Sequence, residues 1–277
     1  MEYLEYPVAE NLRRHVACVW RLRDAAPAGA VQTIYPDGRC ELIVHLATTP
    51  RCWDARTGWY PQSMSLFAAQ GATAIRLAFP GPLDCIGLRL QPAASAVIAQ
   101  HRLGSLRDRV VDLAGIDAGF GRSLRSAVRA FARDDPAPMW RLLTRRIATF
   151  SPDARIEAAV ARIEASAGNA RMDAMARAAG LSMRGFQIRF RAAVGLAPKE
   201  FARVMRLRAT LHALDADQAS IAEIAADSGF ADQAHVTREL QRVTGLTPAK
   251  LRAELRRDRD GDAAVRLAAA FVRGHSR

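Results

Sequence analysis

The sequence predicts an α+β chain of several domains: a β-rich unit over residues 1–105, a helical linker over 106–150, an all-α unit over 151–258 and a tail over 259–277. Three observations carry this division. Between Ala30 and Pro92 short β-branched runs alternate with Pro and Gly turns. After Pro92 the apolar residues fall three and four apart. Past Ser151 nothing reads as a strand, and one helical pattern occurs twice.

In the first unit, VQTIY, Pro36-Asp37-Gly38 and CELIVHL read as a hairpin, because Pro and Asp favour the turn and Gly supplies a positive φ. TAIRLAF, Pro80-Gly81-Pro82 and LDCIGLRL repeat the device. Short strands joined by tight turns predict a small β-sandwich or barrel, with Gly58, Gly71 and Gly87 at bends or bulges. In the linker, Leu124, Val128 and Phe131, then Leu142, Leu143 and Ile147, form apolar stripes. They serve either as a homodimer contact or as cover for the neighbouring domains. Ser151-Pro152-Asp153 reads as a helix start, with Ser as cap and Pro in the first turn. Helices follow at about 153–166, 172–179, 183–193, 198–214, 220–227, 233–243 and 248–257.

The repeat lies inside those helices. MARAAGLS (175–182) aligns with IAADSGFA (224–231) at an offset of 49, and FQIRFRAAVGLAP (186–198) with VTRELQRVTGLTP (236–248) at 50. Each copy predicts a short helix with a small residue at a close approach (Ala176, Ala225), a glycine turn (Gly180, Gly229) and a second helix with an inward stripe. Those stripes are Phe186, Phe190 and Val194, then Val236, Leu240 and Val243. This is the grammar of a helix-turn-helix. Arg184, Gln187, Ile188 and Arg191 then fall off the core stripe of the first copy, and Gln233, Ala234, Thr237, Arg238 and Gln241 off that of the second. Arg, Gln and Thr on an exposed helix are the types that reach base edges or phosphates. The candidate DNA contacts are Arg184, Gln187, Arg191, Gln233, His235, Thr237 and Arg238.

The formal charge of +12 suits a polyanion but does not say which half meets it. Nineteen Arg against thirteen acidic residues up to position 150, and twenty-one basic against fifteen beyond, leave each half at +6.

Residues 153–257 resemble the paired helix-turn-helix domain of AraC/XylS-type transcriptional regulators. IAEIAADSGFADQAHVTREL followed by GLTP carries the likeness in the second unit, and LSMRGFQIRFRAAVGLAPKEFARVMRLRATL in the first. Leu240 stands where the family usually has Phe, and Ile188 where a basic residue is frequent. IYPDGRCELIVHL, FAAQ, GPLDCIGLRLQPAA and LRDRVVDLAG resemble the N-terminal domain of one branch of the family, which implies a cupin-like fold. The resemblance implies two recognition helices on one rigid linker helix, entering successive faces of the major groove.

Other residues are weighed against plainer roles. Trp20, Trp53, Trp59 and Tyr60 either line a ligand pocket or fill core. His45 is the one histidine in the strands, with His15 and His101 outside them, so a structural role is expected over a metal site, which needs several converging ligands. Asp37 is explained by its turn and Glu41 by strand alternation. Cys18, Cys40, Cys52 and Cys85 hold no close pair of the kind a zinc site uses and are expected as buried thiols. AVRLAAAFV near the C-terminus reads either as an amphipathic helix or as part of a frayed tail.

No apolar run reaches the length of a membrane span, and MEYLEYPVAENLRR has no apolar leader, so a cytoplasmic location is expected. The expected protein is a non-enzymatic transcription regulator without cofactor or metal. Its partner is double-stranded DNA, with a small-molecule effector, RNA polymerase and a second copy as further candidates. The competing reading is a small-molecule enzyme or DNA-repair factor with a DNA-binding delivery domain. Against it, no phosphate loop or nucleophile elbow appears.

Overall fold

The computed structural model describes residues 2–25, 31–216 and 219–259. The tail at 260–277, with AVRLAAAFV, and the His101 side chain lie outside the described residues.

Ten strands occupy the first 112 residues: β1 Glu2–Tyr6, β2 Val16–Asp24, β3 Val31–Ile34, β4 Glu41–His45, β5 Arg51–Asp54, β6 Gly58–Pro61, β7 Ser65–Ala68, β8 Ile75–Ala78, β9 Leu83–Leu90 and β10 Val110–Asp112, with a helical turn α1 at Ala96–Ala99. They make two antiparallel sheets, ordered β1-β2-β9-β4-β7-β10 and β3-β8-β5-β6. Among the described residues the β-rich, cupin-like unit is therefore present as two open sheets without a closed ring of pairing.

Both expected hairpins are corrected. β3 pairs with β8 in the smaller sheet, whereas β4 pairs with β7 and β9 in the larger, so Pro36-Asp37-Gly38 is a corner between sheets. Likewise β8 and β9 lie in different sheets across Pro80-Gly81-Pro82. Prolines without an N–H cannot carry a ladder through such a connection, and the chain changes sheet there.

The larger sheet is buried on both faces. Val19, Leu42, Val44, Ile86 and Leu88 point to a core closed by two helices, α2 (Ala114–Phe131) and α3 (Ala137–Ile147). Trp20, Leu22 and Cys85 point instead to the smaller sheet, where they meet Cys52 and Leu77. Double burial explains why LDCIGLRL is nearly continuously apolar. Gly87 is required by close approach, because a Cβ there would collide with the Trp20 ring. Leu124, Val128, Phe131 and Leu143 are buried in the helix-covered core, and Leu142 and Ile147 pack against it. The linker stripes thus cover their own sheet, and the apolar surface that suggested a dimer contact is already used.

The remaining helices are α4 Ala154–Ala165, α5 Met172–Ala178, α6 Met183–Val194, α7 Pro198–Ala216, α8 Ile221–Asp227, α9 Gln233–Thr244 and α10 Pro248–Arg259. The start of α4 moves from the expectation: Asp153, whose side chain accepts from the Arg155 N–H, is the cap in place of Ser151. α7 serves two cores. Phe201, Val204 and Met205 join the first unit, and Leu207, Leu211 and Leu214 the second, so α7 is apolar on more than one side.

The β-rich unit docks on this helical half. Arg14 pairs with Glu157 at 2.5 Å, Arg39 with Glu164 at 2.7 Å, and Arg107 with Glu200. Tyr35 and Ala93 enter the helical cores, and the Ala74 N–H donates to the Val243 carbonyl at 3.3 Å. Gly38, at φ +80°, faces α7 so closely that a Cβ would collide with Met205.

Candidate nucleic-acid interface

The two copies of the repeat are built alike. α6 is capped by Ser182, which accepts from the Gly185 N–H, and α9 by Asp232, which accepts from the His235 N–H. Each ends on a left-handed glycine, Gly195 at φ +92° and Gly245 at φ +75°, and a proline opens the next helix. α8 adds a reciprocal cap between Ser220 and Glu223. Phe186, Phe190, Val194, Val236, Leu240 and Val243 are all buried, as are Ala176 and Ala225. Leu240 is 1% exposed.

Burying these stripes turns the opposite sides of α6 and α9 to solvent. Arg184, Gln187, Arg191, Gln233, His235 and Arg238 are exposed, and Thr237 is half-buried. Their surroundings separate them. Among the described residues no carboxylate pairs with Arg184 or Arg238, although Arg171 and Arg177 pair with Asp173, and Arg203 and Arg242 with Glu239. Thr237 donates its hydroxyl to the Gln233 carbonyl at 2.9 Å. The His235 ring meets Phe230 in a T-shaped contact with centroids 5.2 Å apart. Arg191 runs alongside Gly104 of the β-rich unit, where a Cβ would lie 3.4 Å from its Nε. Ile188 stands out in this face, at 61% exposure.

Glu239 sits behind α9 and ties it to α7. Burial opposes its ionisation, but hydrogen bonds from Arg242 and Arg203 outweigh that and bring its carboxyl down to about 2. This fixes the rotation of α9 about its axis without using Arg238.

The four aromatics proposed as pocket lining do not converge. Cys52 lies opposite Tyr60 and Trp53 opposite Trp59 on paired strands, and successive residues of a strand face opposite ways. Trp20 is buried between the sheets with Tyr60 packed against that cluster, while Trp53 and Trp59 meet edge to face at 5.4 Å on the other side, with Arg76 over both rings. A cavity of about 90 Å³ lies elsewhere, lined by Tyr35, Asp37, Arg39, Glu41, Asp108 and Arg109 among others. Sequence reading missed this cluster because a turn or an alternation already explained Asp37 and Glu41. Their partner is Arg89, fully buried, whose Nε donates to Glu41 at 2.8 Å while its terminal nitrogen stands 3.4 Å from Asp37.

Burial raises the thiols of Cys18 and Cys40 to about 12 and also raises those of Cys52 and Cys85, which keeps them protonated. Burial likewise lowers the His45 imidazole to about 4, outweighing the opposing influence of the Gln62 side chain, so it is neutral. Among the described residues no group of three or more His, Cys, Asp or Glu could hold a metal ion, and no helix is long and apolar enough to cross a membrane.

A helix-turn-helix domain family matches residues 175–254, and a domain of unknown function (DUF6597) matches residues 4–112. No curated protein matches the chain. Among solved structures the chain is similar to ToxT from Vibrio cholerae, at 9% identity over 91% of this chain and 98% of that one, with a TM-score of 0.46. A ToxT structure bound to (E)-4-(8-methylnaphthalen-1-yl)but-3-enoic acid aligns at 10% identity over 86% and 97% of the two chains, with a TM-score of 0.44. The AraC-like transcriptional activator CuxR aligns at 13% identity over 69% and 72%, with a TM-score of 0.23. Both α6 and α9 thus lie inside the matched helix-turn-helix domain, and the strands of both sheets, from Leu4 onward, lie inside the other match.

Proposed function

We propose that this chain is a transcription regulator of the AraC/XylS type that binds double-stranded DNA sequence-specifically, α6 and α9 reading adjacent major-groove segments, and that the β-rich unit modulates the binding. One observation carries the reading: in each copy of the internal repeat the helix that buries an apolar stripe leaves an arginine exposed and unpaired among the described residues, Arg184 on α6 and Arg238 on α9. The two helices are joined by α7, whose nineteen residues span roughly 28 Å, comparable to one turn of B-DNA. Arg and Gln at such positions pair in bidentate fashion with guanine and adenine.

Modulation is supported by the docking contacts. Ion pairs from Arg14, Arg39 and Arg107 and the Tyr35 ring hold α4 and α7, and the Ala74 N–H reaches the end of α9. A small effector or a second copy that altered this docking would alter how the two readers sit. The cavity at Asp37, Arg39 and Glu41 adjoins the same corner that meets α7.

A fragment of residues 151–277 tests both statements. Among the described residues its two cores bury Tyr35 and Ala93 from upstream, with Ala74 packed alongside, so it is expected to fold with native helicity and to enrich defined sequences from a pool of random duplexes. Its affinity for those sequences is expected to differ from that of the full chain. A folded fragment that enriches nothing, while the full chain does, contradicts the division. Equal affinity of fragment and full chain removes the modulating role.

A further inference from the structure

We infer that Ile188 reads a thymine C5-methyl group in the major groove, so that the first unit selects A·T where the second, through Arg238, selects G·C. The inference rests on the reading of α6 and α9 as DNA readers and assigns the base class that each takes.

The two residues are repeat equivalents, fifty positions apart, and the helix geometry places both farthest from their core stripes. Ile188 lies about 200° around α6 from Phe186, and Arg238 about 200° around α9 from Val236, at 100° per residue. Ile188 is 61% exposed, whereas the inward Phe186 and Phe190 are wholly buried. Solvent exposure of a β-branched apolar side chain at the crest of a helix is not explained by any packing within the described chain. On the same outward side Gly185 and Ala192 stand one turn before and after, so nothing bulky keeps the helix from the groove floor. Arg184, Gln187, Arg191 and Lys199 flank the patch, and Met183 extends it at 37% exposure.

That combination chooses among occupants. An apolar crest bordered by cations suits a surface that is anionic at its edges and apolar at its centre. The major groove meets this description only where a thymine methyl projects between the phosphate rims. A protein partner of that pattern would need an apolar knob ringed by carboxylates.

The experiment begins with duplexes that the full chain enriches from a random pool. Each thymidine in the segment read by the first unit is then replaced by deoxyuridine, which removes only the methyl group. Wild type is expected to lose about fourfold in affinity for each methyl buried against Ile188. Ile188→Ala is expected to bind the thymidine and deoxyuridine duplexes equally, and Ile188→Arg to shift the enriched base at that position toward guanine. Circular dichroism checks folding, and Ile188→Val is expected to keep part of the methyl dependence.

Each contrary outcome is distinct. A wild type indifferent to deoxyuridine overturns the inference and leaves the DNA-reading proposal standing, as does methyl dependence that persists in Ile188→Ala. An Ile188→Ala chain that keeps methyl dependence but sediments differently makes the patch a protein contact and overturns it too. A wild type that enriches no sequence overturns both this inference and the reading beneath it.

Discussion

Phe190→Ala is expected to destabilise the first helix-turn-helix unit by about 3–5 kcal/mol. The ring is wholly buried and stacks obliquely on two others, Phe186 and Phe201, each with a centroid separation of 5.7 Å. Truncation leaves a cavity that neither neighbour can fill without leaving its own site. Phe201 also lies under the Gly38 corner of the β-rich unit, so the loss is expected to spread to the docking between halves. Urea denaturation followed by circular dichroism measures the effect. A cost below about 1 kcal/mol would show that the unit collapses around the missing ring and that its core is not the rigid support assumed for α6.

Arg89→Ala is expected to cost a similar amount, about 3–5 kcal/mol, by a different mechanism. Arg89 is 0% exposed, and its guanidinium is the cation facing Glu41 and Asp37 between the sheets, with the Trp20 indole N–H also donating to Glu41 at 3.2 Å. Burial opposes the charge on Arg89, but Glu41 and Asp37 more than restore it and raise its pKa. Removing the guanidinium strands a buried carboxylate. In that variant Glu41 binds its proton more tightly folded than unfolded, so stability should fall as pH rises. The measured cost is therefore expected to be smaller at about pH 5 than at about pH 8. An Arg89→Met, Glu41→Leu double variant should lose less than Arg89→Ala, because the more deeply buried carboxylate, Glu41, is no longer left without its cation. A cost that does not vary with pH, or a double variant worse than the single, contradicts the assignment of Arg89 as counter-ion.

These two sites also mark what the sequence could and could not disclose. The helical half was readable because its signals are local: glycine turns, caps and the three-and-four spacing all lie within a dozen residues. α6 runs Met183–Val194 and α9 Gln233–Thr244, within one residue of the expected spans. Phe186, Phe190 and Val236 fell on the inward side because the helical period alone places them there. The β-rich half was readable as strands but not as a topology. β4 takes β7 and β9 as partners across twenty and more residues of chain, and the intervening turns at Pro36 and Pro80 mimic hairpins that do not form. Strand alternation also separated Trp53 from Tyr60, which composition alone had grouped. Arg89 and Glu41 were out of reach for the same reason, since only sheet register brings them together. The outward set on α6 and α9 was legible as a list of types, and the structure adds their different surroundings: Thr237 bonded to its own helix, His235 against Phe230, Arg191 beside Gly104, and Arg184 and Arg238 open.

The central claim is that two equivalent helices read DNA, and a binding titration on the enriched duplex tests it most directly. Wild type, Arg184→Ala and Arg238→Ala are compared at two salt concentrations, on the intact duplex and on one scrambled in either segment, with circular dichroism as folding control. An Arg bidentate to guanine discriminates by about 1–3 kcal/mol, so each substitution is expected to weaken specific binding roughly ten- to a hundredfold and to reduce discrimination at its own segment. If one of them holds phosphate, binding should weaken uniformly across sequences, with the salt slope flatter by about one. Folded Arg184→Ala and Arg238→Ala chains that both bind like wild type would contradict the account, because α6 and α9 would then not be the readers.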